Sequence, residues 1–339
     1  MISSEWILQE DVITVTDFGE FGLIAAIRAV LPPDPPGALG IGDDGAVLPA
    51  PDGRVVASTD LLVEGRHFRR DWSAATDIGV KAAAQNLADI AAMGASPTAL
   101  LLGLAVPGEL AAAWVVAVAE GMAAECARAG AMIAGGDVTS SDSVMLAITA
   151  LGSLAGRDPV TRTGASPGEV VAISGPVGQS AAGLALLHAG LGTLPAAFEP
   201  ELLRLVMAHQ RPQPDYAAGP AAAVAGATSM IDVSDGLVAD LGHIADASGV
   251  RLEIESASLP GTGALTSAAA RLGSDWREWA LAGGEDHALA ATFPQEATLP
   301  DGWTVIGKAS SGAGVLVDAK PWSGLPGWDH FRNPRGPGA

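Results

Sequence analysis

The sequence predicts a two-domain protein of the α/β (α+β) class, and three observations support this. The chain of 339 residues is long enough for two domains of about 150 residues each. Runs typical of strands and helices alternate along it, as in layered α/β folds. A proline- and glycine-rich stretch, GRDPVTRTGASPGE, interrupts them after Leu154. We therefore expect an extension at 1–16, domains at 17–154 and 155–332, and a tail at 333–339.

Apolar periodicity and glycine or proline breaks define the predicted elements of the first domain. Apolar residues at helical spacing predict a helix in FGEFGLIAAIRAVL, which PPDPPG ends. The alanine-rich stretches 75–93 and 109–128 predict two further helices, each stopped by a glycine. Apolar runs predict strands in RVVASTD, TALLLGLAVPG and SVMLAITALGSL. In AMIAGGD we predict a strand that runs into a glycine turn and an aspartate.

The second domain shows the same alternation of strands and helices. Strands are predicted in VVAISG, in TSMIDVSDGL and over 303–318, and WALAGGEDHALAATF predicts a glycine turn that opens into a strand. Helices are predicted in AAGLALLHAG and VADLGHIADAS, with a proline-interrupted helical region up to about Ala225. GPVGQSAAG follows a strand and opens a helix, but we interpret it as a plain turn because it is a weak phosphate-loop signal.

Charge and composition exclude several classes of partner. The formal net charge is -20, and the only lysines are Lys81, Lys308 and Lys320. Such a chain lacks the basic footprint that duplex nucleic acid or an anionic membrane surface requires. The longest apolar runs are well short of the roughly 20 residues of a membrane span. The single cysteine, Cys126, cannot form an internal disulfide and fits a reducing cytoplasm.

Acidic residues recur where predicted strands meet glycine or Ser/Thr turns. The set is Asp43, Asp44, Asp60, Asp137, Asp232, Asp235, Glu285 and Asp286. Asp43 and Asp44 are adjacent in a glycine turn with no basic residue nearby in sequence, so their carboxylates repel unless a hard cation binds them. Mg²⁺ prefers carboxylate, water and phosphate oxygens, and the Ser58 and Thr59 hydroxyls add further oxygen ligands. The pattern predicts several Mg²⁺ ions that hold a polyphosphate.

Other interpretations of single acids stay open at this point. VSDGL before a helix is good N-cap chemistry, so Asp235 is either a helix cap or a ligand. Asp89 lies in an alanine-rich helix with Asn86 three residues before it, and such a pair is either solvated or satisfied within a site. The six histidines show no paired zinc-site spacing, and no G-x-x-x-x-G-K-[ST] or protein-kinase signature occurs.

The order of the most distinctive segments is informative. They are GEFGLIAAI, GIGDDGAVL, STDLLVEGRHF, KAAAQNLADIAAMGASP, IAGGDVT, TRTGASPGE, IDVSDGLVADLGHIA, LAGGEDHAL and GWDHF, and they extend from about Gly19 to Phe331. Together they resemble the thiamine-monophosphate kinases of the PurM-like ATP-binding superfamily. NLADIAAMGA and GGD are shared across that superfamily, whereas STDLLVEGRHF, IDVSDGLVADLGHIA and GWDHF are more particular to the kinases.

The resemblance implies a fold, a reaction and partners. The expected fold is PurM-like, with an N-terminal domain whose mixed sheet pairs across a homodimer and a C-terminal α/β domain. The implied reaction is ATP-dependent phosphorylation of thiamine phosphate to thiamine diphosphate, by direct in-line transfer that several Mg²⁺ ions assist. Because the attacking phosphate oxygen is already deprotonated at neutral pH, we expect no dedicated general base. Asp43 or Asp60 in that role stays an alternative.

The resemblance also assigns roles to residues by motif position. The implied Mg²⁺ ligands are Asp44, Ser58, Thr59, Asp60, Asp89, Asp137, Asp232 and Asp235. The implied ATP contacts are Gly136, Asp137, Arg162 and Ser234, and the implied thiamine phosphate contacts are His67, Glu285 and Trp328. The thiazolium ring of thiamine is cationic and suits aromatic contact. Trp322, Trp328 and Phe331 cluster near the chain end, where a hydrophobic plug is the other interpretation.

The sequence departs from the family pattern at two places. After GGD the sequence reads VTSSDS where the family usually has Thr-Thr and a basic residue, and after GGED it has His287 instead of an aromatic.

Two competing functions remain. The first is another PurM-like enzyme: an aminoimidazole ribotide synthetase, a selenophosphate synthetase or a hydrogenase-maturation dehydratase. The cysteine motifs of the last two are missing here, and the ribotide synthetases lack the STDLLVEGRHF form. The second is a nucleotide-binding scaffold without turnover.

Overall fold

A computed structural model of the protein describes residues 13–38, 40–41, 46–191, 199–325 and 327–328. The helices are α1 (Val15–Val30), α2 (Ala75–Ala92), α3 (Ala112–Ala129), α4 (Gln179–His188), α5 (Pro200–Gln210), α6 (Ala218–Val224), α7 (Leu237–Ser248), α8 (Thr262–Leu272) and α9 (Trp276–Ala282). The strands are β1 (Val56–Val63), β2 (Ser96–Val106), β3 (Met132–Ser140), β4 (Met145–Ser153), β5 (Val170–Ile173), β6 (Ser229–Asp232), β7 (Arg251–Ile254), β8 (Leu289–Phe293), β9 (Thr304–Ser310), β10 (Gly314–Val317) and β11 (Lys320–Pro321). Among the helices described, none combines the length and the apolar character needed to cross a bilayer.

The strands form two sheets, which confirms the predicted α/β class. The first sheet has the order β1-β4-β2-β3 and is mixed, because β2 and β3 run parallel while the other neighbours are antiparallel. The second has the order β11-β10-β7-β9-β5-β8-β6 and is also mixed, with β7 and β10 parallel. The two sheets use separate stretches of chain, 56–153 and 170–321, on either side of the predicted boundary at Leu154. The boundary itself stays a prediction.

Each sheet buries one large apolar core against its helices. In the first half, α1, α2 and α3 cover one face of the sheet, where Leu100, Leu146 and Ile148 are fully buried. The other face is more open, and Leu61 on the edge strand β1 is 55% exposed. Because side chains alternate between the two faces of a strand, each residue of β1 belongs to either the helix-covered or the open face.

A smaller apolar cluster joins the two halves of the chain. The last turn of α2 contributes Ala91 and Ala92, which pack with Ala222 of α6 and with Phe293 of β8. The hydrophobic effect favours burying these side chains together. This contact holds the C-terminal end of α2 against the second half of the chain. The polar face of α2 lies beside this apolar cluster.

The structure contradicts the predicted glycine turn in AMIAGGD. β3 continues through Gly135, Gly136 and Asp137 to Ser140. A Cβ atom on Gly136 would lie 2.0 Å from the carbonyl oxygen of Leu102 on β2. The glycine is therefore needed because the two strands approach closely beside an irregularity in their register, and not because the chain turns.

The start of the chain and three elements of the second half also differ from the prediction. α1 begins at Val15, inside the predicted 1–16 extension, because Thr14 and Asp17 form a reciprocal capping box. Residues 1–12 lie outside the described part. β7, α8 and α9 were not predicted; they have 4, 11 and 7 residues, and tertiary packing buries their apolar side chains in the second core.

Candidate active site

A cavity of about 1090 Å³ lies between the polar face of α2 and the second sheet. It brings together most residues with a predicted role, which come from both halves of the chain. They are Ser58, Asp60, His67, Asp89, Arg162, Asp232, Ser234, Asp235, Glu285 and Trp328. A shared cavity of this size with several convergent polar groups is the expected form of an active site.

β1 and α2 supply the first wall of the cavity. Ser58 and Asp60 are two residues apart on β1 and therefore face the same side. The Ser58 hydroxyl donates a hydrogen bond to Asp89 Oδ2 at 2.6 Å, and Gln85 Nε2 donates to Asp60 Oδ2 at 3.2 Å. Asn86, which the sequence grouped with Asp89, is instead fully buried and donates to the Ala82 carbonyl.

The carboxylates of this wall meet those of the second half. Burial, together with the negative charges of Asp232 and Asp60, raises the pKa of Asp89 to about 7. Carboxylates crowded in this way require a counter-charge, and oxygen donors of this kind fit a hard cation such as Mg²⁺. Within the described residues, no three His, Cys, Asp or Glu side chains already enclose a metal position. Asp43 and Asp44 lie outside the described residues.

The turn Ser234–Asp235–Gly236 supplies the second wall, and Asp240 holds it. Asp240 Oδ2 accepts hydrogen bonds from the backbone N–H groups of Ser234, Asp235 and Gly236 at 3.0, 3.1 and 3.1 Å. The N-cap position of α7 falls on Gly236 and not on Asp235, so the helix-cap interpretation of Asp235 is wrong. Asp235 instead lines the cavity.

The segment GGEDH runs beside this turn. The backbone N–H of Glu285 donates to Ser234 O at 2.8 Å, and that of His287 donates to Val233 O at 3.0 Å. Glu285 and His287 have φ angles of 65° and 55°, in the left-handed region that side-chain-bearing residues rarely adopt. Both line the cavity. His287 Nδ1 lies 3.5 Å from Asp232 Oδ2, so it replaces the usual aromatic with a partner for an acidic residue.

Asp286, between these two residues, binds the start of α4. Its carboxylate accepts hydrogen bonds from the backbone N–H groups of Gly178 and of Ser180, the latter at 2.8 Å. Two N–H groups at the start of α4 are thus already satisfied by a carboxylate. This supports the interpretation of GPVGQSAAG as a plain turn, because those groups are occupied without a bound phosphate.

Glu285 is paired with a buried lysine from the other half of the chain. Lys81 Nζ lies 3.1 Å from Glu285 Oε2, and His209 Nδ1 lies 3.3 Å from the same oxygen. Burial alone would raise the pKa of Glu285, but Lys81 and His209 outweigh it and hold that pKa well below its usual range. Glu285 is therefore ionised while it lines the cavity.

His67 and Trp328 border the remaining part of the cavity. His67 Nδ1 accepts a hydrogen bond from the Val63 N–H at 3.0 Å, so in the neutral ring the proton is on Nε2. The backbone N–H of Trp328 donates to the backbone carbonyl of Asp235 at 2.9 Å, which places the end of the described chain against the acidic turn. Trp322 packs against the second core instead, and Phe331 lies outside the described residues.

Three predicted residues do not reach the cavity. Thr59 lies between Ser58 and Asp60 on β1, and its hydroxyl donates to Ile148 O at 2.8 Å on the opposite side of the strand. Gly136 and Asp137 lie in β3, at the far edge of the same sheet. Strand alternation explains Thr59, because neighbouring residues of a strand cannot face one side.

The sequence did not single out Lys81, Gln85, Arg66 or Trp279 as site residues. On α2, Lys81 and Gln85 precede the predicted residue Asp89 at intervals of four, which places all three along one face of the helix. That spacing is the signal that was available for Lys81 and Gln85. Arg66 and Trp279 also line the cavity, but no pattern in the sequence distinguished them.

Known proteins are similar to this chain over nearly its whole length. A family model described as "AIR synthase related protein, N-terminal domain" matches residues 42–154. The chain is 47% identical over 328 residues to the thiamine-monophosphate kinase of Mycobacterium tuberculosis, covering 96% of each chain. The chain belongs to the thiamine-monophosphate kinase family. A relative from Corynebacterium glutamicum with the same name is 42% identical over 325 residues, covering 94% of this chain and 95% of that protein.

A solved structure of the thiamine-monophosphate kinase family is also similar. It is described as AaThiL complexed with AMPPCP and TMP, and it matches with a TM-score of 0.76 at 34% identity, covering 93% of this chain and 98% of its own. The PurM-like fold expected from the sequence is thereby confirmed. Family membership also decides between the kinases and the other PurM-like enzymes that the sequence left open.

Proposed function

We propose that this chain catalyses the ATP-dependent phosphorylation of thiamine phosphate to thiamine diphosphate. The observation that carries the proposal is the single cavity in which Asp60 and Asp89 from one half meet Asp232 and Asp235 from the other. A relative with the same fold binds AMPPCP, an analogue of ATP, together with TMP. Donor and acceptor are both phosphates, so the protein must orient two anions and offset their repulsion.

The metal ligands and the in-line mechanism are part of this proposal. The residues that would hold Mg²⁺ are Ser58, Asp60, Asp89, Asp232 and Asp235 together with Asp44, and Mg²⁺ would neutralise phosphate charge when bound. Arg162 and Ser234 contact the nucleotide. His67 Nε2–H donates to the phosphate of thiamine phosphate, and Trp328 contacts the cationic thiazolium ring. No side chain removes a proton, because the attacking phosphate oxygen carries none at neutral pH.

We also propose a homodimer formed through the first sheet. In register, Thr59 of β1 pairs with Thr149 of β4, which pairs with Leu101 of β2 and then Gly135 of β3. Asp137, two residues after Gly135, therefore lies on the same open face as Thr59, three strand spacings across and two residues along, or about 16 Å away. In a dimer formed through this face, Thr59 and Asp137 of each copy would face the other copy, and not the cavity of their own chain. Light scattering should give twice the 33.9 kDa chain mass, and a monomer at working concentrations would contradict the dimer. A cytoplasmic location stays a prediction.

The reaction is tested by product analysis. Purified protein with ATP, Mg²⁺ and thiamine phosphate should release ADP and thiamine diphosphate in equal amounts. Thiamine and aminoimidazole precursors serve as matched acceptors and should give no product. Tight binding of ATP without release of ADP would favour a scaffold and overturn the proposed activity.

A further inference from the structure

Lys81 is the feature of the site that the proposed function does not yet use. Its side chain is only 2% exposed, although lysine is rarely buried unless it is paired. The chain has three lysines, and Lys308, by contrast, has a side chain that is 67% exposed. Burying an ammonium group is expensive, so its position needs a specific partner.

That partner is Glu285, which lies 204 positions away in sequence. Lys81 Nζ and His209 Nδ1 both approach Oε2, at 3.1 and 3.3 Å. To donate to Oε2, His209 Nδ1 must carry the ring proton, and the oxygen of the buried Ser180 hydroxyl, 3.0 Å from the same nitrogen, then shares that N–H. One carboxylate oxygen is therefore fixed from two directions, and Oε1 is the oxygen that a ligand in the cavity can use.

We propose that Lys81 is a positioning residue for thiamine phosphate, which fixes Glu285 and neutralises it so that Glu285 accepts a hydrogen bond from the thiamine moiety. This inference rests on the proposed function. Because the Lys81 charge already balances the carboxylate, Glu285 is not the counter-ion of the thiazolium ring. Its free oxygen suits an N–H donor instead, such as the amino group of the aminopyrimidine ring.

The position of Lys81 on α2 also relates the Lys81–Glu285 pair to Asp89 on the same helix. Lys81 and Asp89 are eight residues apart on one helix face, which corresponds to about 12 Å along the axis. Lys81 therefore reaches Glu285, which lines the proposed thiamine end of the cavity, while Asp89 lies among the carboxylates proposed to hold the phosphates. One rigid helix sets the distance between the two ends.

A double-mutant cycle tests the inference through steady-state kinetics. We expect Lys81→Met to raise the KM for thiamine phosphate at least tenfold while the KM for ATP changes less than twofold. Glu285→Gln should have a similar effect. If Lys81 acts through Glu285, the double variant should be no worse than Glu285→Gln alone. The exposed Lys308→Met is the matched control and should leave both KM values unchanged.

The outcomes separate this inference from the proposed function. Unchanged KM for thiamine phosphate in Lys81→Met, equal increases for both substrates, or multiplicative effects in the double variant would each overturn it. If Lys81→Met does not fold, the comparison of the double variant with Glu285→Gln remains decisive, because the double variant leaves no unpaired buried charge. Wild-type protein that forms no thiamine diphosphate would overturn the proposed function and this inference with it.

Discussion

Substituting Gly136 tests whether the GGD segment is set by strand packing. An ideal Cβ at this position would lie 2.0 Å from Leu102 O and 2.9 Å from its carbonyl carbon. A carbon and a backbone oxygen in close contact are normally about 3.3 Å apart or more. Gly136→Ala therefore forces β3 away from β2 by more than about 1 Å at these contact distances. Overpacking costs about 1–3 kcal/mol, and a disrupted backbone hydrogen bond adds about 1 kcal/mol, so we expect a loss of about 2–4 kcal/mol.

Gly135→Ala is the matched control, since it makes the same chemical change one residue earlier. Its Cβ would lie 3.4 Å from Leu101 Cδ2, an ordinary contact with a side chain that can move. We expect its free energy of unfolding to stay within about 1 kcal/mol of the parent protein. Urea unfolding followed by circular dichroism measures both variants. Equal stability losses for the two substitutions would refute the close-approach explanation.

Three further expectations follow from single side chains. Asp286→Ala leaves the N–H groups of Gly178 and Ser180 unpaired and should lower stability by about 2–5 kcal/mol in the same urea assay, and a change below about 1 kcal/mol would contradict this. Burial raises the pKa of the Cys126 thiol to about 12, so a thiol reagent should label it only after unfolding, and rapid labelling of native protein would show the burial to be wrong. Asp89→Asn removes one charge from a crowded acidic group and should leave the melting temperature unchanged or higher while turnover falls at least a hundredfold, whereas full activity would exclude its metal role.

Many residues of the site could be predicted because they lie in sequence motifs with a defined local conformation. The structure places Asp60, Asp232 and Asp235 around one cavity. Asp232 ends β6 and Asp235 lies in the turn that follows, as the sequence indicated, whereas Asp60 lies within β1. The error in GGD arose because glycine serves both turns and close strand approach, and only the partner strand decides which. Thr59 could have been separated from Ser58 by strand alternation alone.

The remaining features depend on contacts between distant parts of the chain. Asp235 follows the sequence rules for a helix cap, yet the N-cap position falls on Gly236. The turn that holds Asp235 is fixed instead by the Asp240 carboxylate, which reaches three backbone N–H groups at once. The pairing of Lys81 with Glu285 forms only after α2 packs on the second half. No local pattern specifies such a pair, although the four-residue spacing from Lys81 to Asp89 marks the helix face involved.

The most direct test of the central claim is the rate of thiamine diphosphate formation as a function of free Mg²⁺. Carboxylates from both halves of the chain, gathered around one cavity, should support transfer between two phosphates only when divalent ions are present. We expect no product when a chelator removes these ions and full recovery when Mg²⁺ is restored. An unchanged rate under complete chelation would contradict the account.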